Sequence, residues 1–242
     1  MLPINPLRCY SARICSSRIL PLSSQTRNFS TTRLARMPEK LTKSEVTSET
    51  DPSVAKQYDN ETPLHQQFTE FYDLQKDVKI VLLTTLRPNI GPVSRAMAVA
   101  KRVGPDFLFL SNTHSKKFSD ISADKTVEVA FQNSGGNQDW ASVTGEAVVA
   151  RNDDPRIKEL WNKGIKAWFG DLGDGVHDGG PDDPRMALIE VKSKYIRYWK
   201  STVGAVGFLK ETTVASLTGQ VAQTGVLREL NPEDIEKART LG

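Results

Sequence analysis

VKIVLLTTLRPNIGPVSRAMAVAKR, residues 78–102, is the stretch whose reading decides the fold. Val78 to Leu86 is a nearly continuous apolar, β-branched run, as a strand buried in a sheet requires. RPNIGP (87–92) places Pro, Asn and Gly within six residues and reads as a turn. VSRAMAVAKR (93–102) is a second strand. A short turn between two strands forces them antiparallel, because a parallel crossover needs a dozen or more residues.

The pattern continues outward from this hairpin. DFLFLS (106–111) is a third strand, followed by a short helix over 114–123 with Phe118 and Ile121 on one side. TVEVAFQN (126–133) alternates strictly, with Val127, Val129 and Phe131 on one face. SGGNQ makes a turn. WASVTGEAVVA (140–150) is a long strand in which Gly145 signals a bulge or a close backbone approach. Asp154-Pro155 opens a helix carrying Ile157, Leu160, Trp161, Ile165 and Trp168 on one face. MALIEVKSKYIRYWK (186–200) is the last long strand. Upstream, Thr62-Pro63 reads as an N-cap with proline at the first helical position, and Leu64, Phe68 and Phe71 give an amphipathic helix to about Asp77. Residues 201–230 are weakly patterned, and Asn231-Pro232 caps a short C-terminal helix. Six strands joined by short turns predict a mainly β fold: a six-stranded antiparallel, closed or nearly closed barrel with peripheral helices, spanning 63–200.

The N-terminus has a different character. Glu39 is the first acidic residue, whereas arginines stand at 8, 13, 18, 27, 33 and 36 among many Ser and Thr. This composition reads as a mitochondrial presequence over 1–37, with RNFSTT (27–32) as the processing region and the matrix as the destination. Met37 also offers an internal start, which would give a cytosolic form. Residues 38–62 are a polar linker and 201–242 a C-terminal extension. Loss of the six arginines takes the formal charge from +3 to −3. The basic balance thus reports targeting and excludes a persistent nucleic-acid face. Cys9 and Cys15 leave with the same segment, so the mature chain has no thiol for disulfides, metal or nucleophilic catalysis. No apolar run is long enough to span a membrane. His65, His114 and His177 are scattered and form no metal spacing or triad. GDLGDGVHDGGPDDP (170–184) holds five Asp, too acidic for a phosphate loop, and reads as a solvated loop.

The chemistry gathers where the third strand ends. After FLFLS come Asn112, Thr113 as helix N-cap, His114, Ser115 and the pair Lys116-Lys117. Free N–H groups of a helix start attract an anion, while two lysines in the first turn repel one another. A phosphate cradled by Ser111, Ser115 and the lysines resolves that conflict; two solvated lysines are the alternative. Arg95 shares a strand face with Val93, Met97 and Val99 and needs an anion, either a ligand or a carboxylate of the chain. The opposite face, Ser94, Ala96, Ala98 and Ala100, is small throughout and admits a flat group or another sheet.

The ordered motifs LLTT, SRAMAV, FLFLSNTHSKK, VEVAFQ, SVTGEA, AWF, DDP and the final YW strand resemble the FMN-binding split-barrel family over roughly 64–200. The resemblance is to the pyridoxamine 5'-phosphate oxidase-like group, in its general-stress-protein branch with the fungal blue-light-inducible proteins. It implies an FMN cofactor whose phosphate is held by Arg95, Ser111, Asn112, Ser115, Lys116 and Lys117. It also implies backbone near Met97 along the isoalloxazine, Gln132 and Trp140 approaching the flavin, and a homodimer. Ala96 stands where the family usually has Pro. The implied function is a stress-associated flavoprotein oxidoreductase of unknown substrate, or a flavin-binding module without turnover. Pyridoxamine phosphate oxidase activity is disfavoured, because the last strand lacks the Arg-x-His motif.

Overall fold

Hairpin pairing across residues 80–98 organises the molecule, which a computed structural model describes over residues 56–133 and 138–241. Residues 1–37, read above as a presequence, and 38–55 of the expected linker lie outside the described residues. β1 (Ile80–Arg87) pairs antiparallel with β2 (Gly91–Ala98), with Leu83 opposite Arg95. The turn between them puts Asn89 at φ 62° and Gly91 at φ 104°, left-handed conformations that Asn and Gly tolerate best. β3 (Lys101–Val103), β4 (Asp106–Asn112), β5 (Thr126–Gln132), β6 (Trp140–Ala150), β7 (Met186–Ser201) and β8 (Gly225–Leu230) complete an eight-stranded antiparallel sheet. The order is β2-β1-β5-β6-β7-β4-β3, with β8 on β7. β7 is long enough to pair with β4 through its first half and with β8 through its second.

β2 and β3 stand at opposite ends of this order yet are separated in the chain by Val99 and Ala100 alone. The predicted strand 93–102 is therefore one strand broken at those two residues. Val99 N–H turns to the carbonyl of Lys79 and Ala100 N–H to that of Leu108. The sheet curls into the expected split barrel, and this break leaves it unclosed. Alternation decides the inside: Leu83, Phe109, Val129, Val143, Val191 and Ile196 are fully buried in one core. Gly145 sits at a bulge between β6 and β7, where an added Cβ would lie 2.4 Å from the Lys192 carbonyl oxygen. The expected close approach is real.

Helices close the two ends. α1 (Leu64–Gln75) buries Phe68, Phe71 and Leu74 on the barrel. Pro63 is its N-cap rather than its first residue, because the Thr62 hydroxyl donates to Asp59 instead of capping. α2 (Lys117–Ala123) begins three residues later than the sequence suggested: the 112–116 segment is held in turns by Ser115 N–H to Asn112 O and Thr113 N–H to Arg185 O. The predicted single helix after Asp154 is two, α3 (Pro155–Leu160) and α4 (Lys163–Lys166), parted where Trp161 turns extended to donate its indole N–H to Gly179 O. Phe169 packs in a second core with Leu108, Ile157, Met186 and Leu188, whereas Trp168 is 86% exposed and does not join that core.

The sheet and core continue past residue 200. α5 (Ala205–Thr218) buries none of its side chains. β8 buries Leu227 and Leu230, and Leu230 joins Ile235 of α6 (Pro232–Leu241) in the main core. Arg228 of β8 is buried because it meets Glu70 of α1 at 2.7 Å and Asp59 at 3.0 Å. Among the described residues no helix is long and apolar enough to cross a membrane.

Candidate functional site

The barrel end capped by α2 collects the charged side chains. Arg95 and Thr85 point inward from β2 and β1, Ser111 inward from the end of β4, and Lys117 and Asp120 back from α2, one turn apart. Arg95 donates through Nη1 to the Leu83 carbonyl (3.2 Å) and to Thr85 Oγ1 (2.8 Å), and through Nη2 to Asp120 Oδ2 (3.3 Å). The Thr85 hydroxyl in turn donates to Asp120 Oδ2 at 2.8 Å. Arg87 meets the same carboxylate with two contacts of 3.0 and 3.1 Å. Asp120 is 2% exposed and its pKa is lowered, chiefly by the Arg87 hydrogen bond. The carboxylate alternative for Arg95 is thus realised in part.

Lys117 is the unusual member. It is 7% exposed, and its Nζ donates to Ser111 Oγ and Ser115 Oγ, both at 2.8 Å. Both partners are neutral. Burial, then the nearby Arg95 charge, pull its pKa down, the direction expected of a buried cation without a counter-ion. The cluster therefore holds three cations, Arg87, Arg95 and Lys117, against the single carboxylate of Asp120. Lys116, exposed at the N-cap of α2, forms no ion pair among the described residues. The resulting excess of two or more positive charges matches a phosphate dianion in sign and size. With only seven residues in α2, the attraction comes from side chains and not from a helix terminus.

The sequence-derived residues separate into two groups. Arg95, Ser111, Ser115 and Lys117 come together, with Lys116 adjacent. Asn112 serves the turn, its Oδ1 accepting the His114 N–H at 2.9 Å. Met97 lies two residues from Arg95 on the same face and packs against the main core. Gln132 and Trp140 face each other across β5 and β6 in the outward row of the sheet. They line a separate cleft of about 390 Å³ with Trp199, Ser201 and Phe208. The row through Arg95 and Leu83 reaches β5 at Val129, so Gln132 is three residues, roughly 10 Å, farther along and on the other face. Asp120, Thr85 and Arg87 were missed. The i, i+3 spacing of Lys117 and Asp120, and the i, i+2 spacing of Thr85 and Arg87, carried the signal.

Comparison with known proteins agrees with this architecture. The family described as "Pyridoxamine 5'-phosphate oxidase like" matches residues 66–223. Protein bli-3 of Neurospora crassa is 37% identical over 193 residues, covering 78% of this chain and 91% of bli-3. A protein of Jannaschia sp. CCS1 described as a general stress protein 26 superimposes with a TM-score of 0.51 at 20% identity, covering 69% of this chain and 99% of that one. The General Stress Protein 26 of Bacillus anthracis str. Sterne gives a TM-score of 0.47 at 22% identity, over 55% of this chain and 93% of that one. With a matched region of this extent and a curated relative at this identity, the chain belongs to the pyridoxamine 5'-phosphate oxidase-like family.

Proposed function

We propose that the chain is an FMN-binding flavoprotein that acts as an oxidoreductase, with the FMN phosphate held at the α2 end of the barrel. The observation that carries this reading is the excess of cations there. Lys117 is buried against two hydroxyls, and Asp120 alone is shared by Arg87 and Arg95. A phosphate would accept from Arg95, Lys117, Ser111 and Ser115 and supply the missing negative charge. When bound, the flavin supplies the electron-transfer chemistry, and the protein supplies binding and orientation. Gln132 and Trp140 lie on the other face of the sheet, toward its opposite end, so within one chain they do not reach a flavin held by this phosphate cluster.

The resemblance to the general-stress branch supports a stress-associated role. A homodimer fits the outer face of the β1–β2 hairpin, where Ile80 (57% exposed) and Leu82 (50% exposed) stand beside Ala96 and Ala98. An apolar sheet face of this kind suits a second copy. Pyridoxamine phosphate oxidation is not favoured: Arg197 of the last long strand sits 3.4 Å from Glu229, and no histidine follows it.

The test is direct. Protein purified with its native cofactor should be yellow and release FMN on denaturation. Anaerobic mixing with NADH or NADPH should then bleach the flavin. A colourless protein that does not take up added FMN overturns the reading. FMN bound but never reduced converts it to a flavin-binding module.

A further inference from the structure

The opposite end of the barrel holds a second cavity that the flavin reading does not use. It opens at the break between β2 and β3, beneath the last turn of α1, and measures about 380 Å³, within the roughly 300–1,000 Å³ of small-molecule pockets. Val78, Val81, Val99, Phe107 and Phe131 form its apolar wall. Val81 and Phe107 begin the strands whose far ends carry Arg87 and Ser111, so this cavity and the Arg95 cluster lie at opposite ends of the barrel.

One cation is fixed at its mouth. The Arg102 guanidinium stacks 3.7 Å over the Tyr72 ring and donates through Nη1 to the Gly104 carbonyl at 3.1 Å. A stacked, tethered arginine gives up little conformational freedom on binding and keeps further N–H groups for a planar carboxylate. The other charged residues of the lining, Asp73 and Lys76, are of opposite sign, so the lining as a whole carries one net positive charge. The cavity therefore combines an apolar body, a net positive lining with the Arg102 guanidinium fixed at its mouth, and a size fit for a ring or a short chain.

We propose that this cavity binds a small amphipathic monocarboxylate, its apolar part against Phe107 and Phe131 and its carboxylate on Arg102. The discriminating chemistry is the single charge: a neutral alcohol keeps only the apolar contacts, and an amine meets repulsion from Arg102.

The experiment titrates the ¹⁵N-labelled full-length chain with 3-phenylpropanoate and follows backbone amides by NMR, with 3-phenylpropan-1-ol and 3-phenylpropylammonium as comparators. The expected result is saturable one-site binding with shifts confined to the end of α1, residues 78–81 and 99–107, and the surroundings of Phe131. The alcohol and the amine should bind at least tenfold more weakly. Arg102→Leu, at an exposed position, should weaken the carboxylate about tenfold and leave the alcohol unchanged. Val99→Trp, which fills the cavity, should abolish binding of both. Arg95→Ala should bind the carboxylate as the unaltered protein does, which separates this site from the flavin site. Non-saturating or scattered shifts, equal binding of alcohol and carboxylate, or a folded Arg102→Leu protein with unchanged affinity overturns the proposal. If Val99→Trp does not fold, Arg102→Leu decides.

Discussion

Asp120→Asn tests the electrostatics of the cluster without touching its cations. The carboxylate accepts from Thr85 Oγ1 at 2.8 Å, Arg87 at 3.0 and 3.1 Å, and Arg95 at 3.3 Å. Asparagine keeps one acceptor oxygen and so retains part of this set. It removes the charge, leaving Arg87, Arg95 and Lys117 with no anion. Losing one partner of a fully buried pair costs 3–5 kcal/mol; with Arg87 and Arg95 a fifth to a quarter exposed, about 2–3 kcal/mol is expected. At 2–4 °C per kcal/mol for a chain of this size, the melting temperature should fall by about 4–12 °C. The same substitution leaves the site needing an external anion more than before. Added FMN or inorganic phosphate should therefore raise the melting temperature of the variant by more than that of the unaltered protein. Differential scanning calorimetry with and without phosphate reads both effects. A variant as stable as the parent, or one whose loss phosphate does not reduce, would refute the reasoning.

Three other outcomes follow from the same structure. Asp183, 1% exposed, is held at about pKa 2 mainly by its hydrogen bonds from Arg185. Because its folded pKa lies below the unfolded value of 3.8, it stabilises the fold above pH 4 and loses that contribution as pH falls toward 2. The contribution is about 2 kcal/mol, and Asp183→Asn should flatten the acid limb of the stability curve by that amount. Leu82→Arg on the outer face of β1 should turn a dimer into a monomer by light scattering, and a parent protein that is monomeric with flavin bound contradicts the dimer. N-terminal sequencing of protein from isolated mitochondria should find a start between residues 29 and 37, and an intact Met1 on the matrix form sinks the presequence.

Much of the architecture was legible because alternation and turn chemistry act locally. Val127, Val129 and Phe131 could not alternate so strictly in anything but a half-buried strand, and Asn89 and Gly91 marked the hairpin turn. β8 was hidden for a non-local reason. GVLREL places Arg228 inside, which reads as a solvent position until Glu70 and Asp59, more than 150 residues away, neutralise it. α5 was missed because its apolar residues form no stripe, consistent with its burying none of them. At the site, Arg95 and Lys117 announced themselves as charges at strand and helix ends. That Asp120 already occupies part of the site depended on α2 turning back toward β1, which no local pattern encodes.

The central claim is that Arg95 and the Lys116-Lys117 pair hold one phosphate dianion. Its most direct test is the dissociation constant of FMN, read by flavin fluorescence, for the parent chain and for the Arg95→Ala, Lys116→Ala, Lys117→Ala triple variant, with riboflavin beside it and circular dichroism to confirm folding. Each lost charge-assisted contact is worth about 1.5–3 kcal/mol, so losing two of them should weaken FMN by about 10²–10⁴-fold. Riboflavin, which lacks the phosphate, should bind both proteins with the same low affinity. A folded triple variant that keeps FMN at the parent affinity would contradict the account and place the phosphate elsewhere.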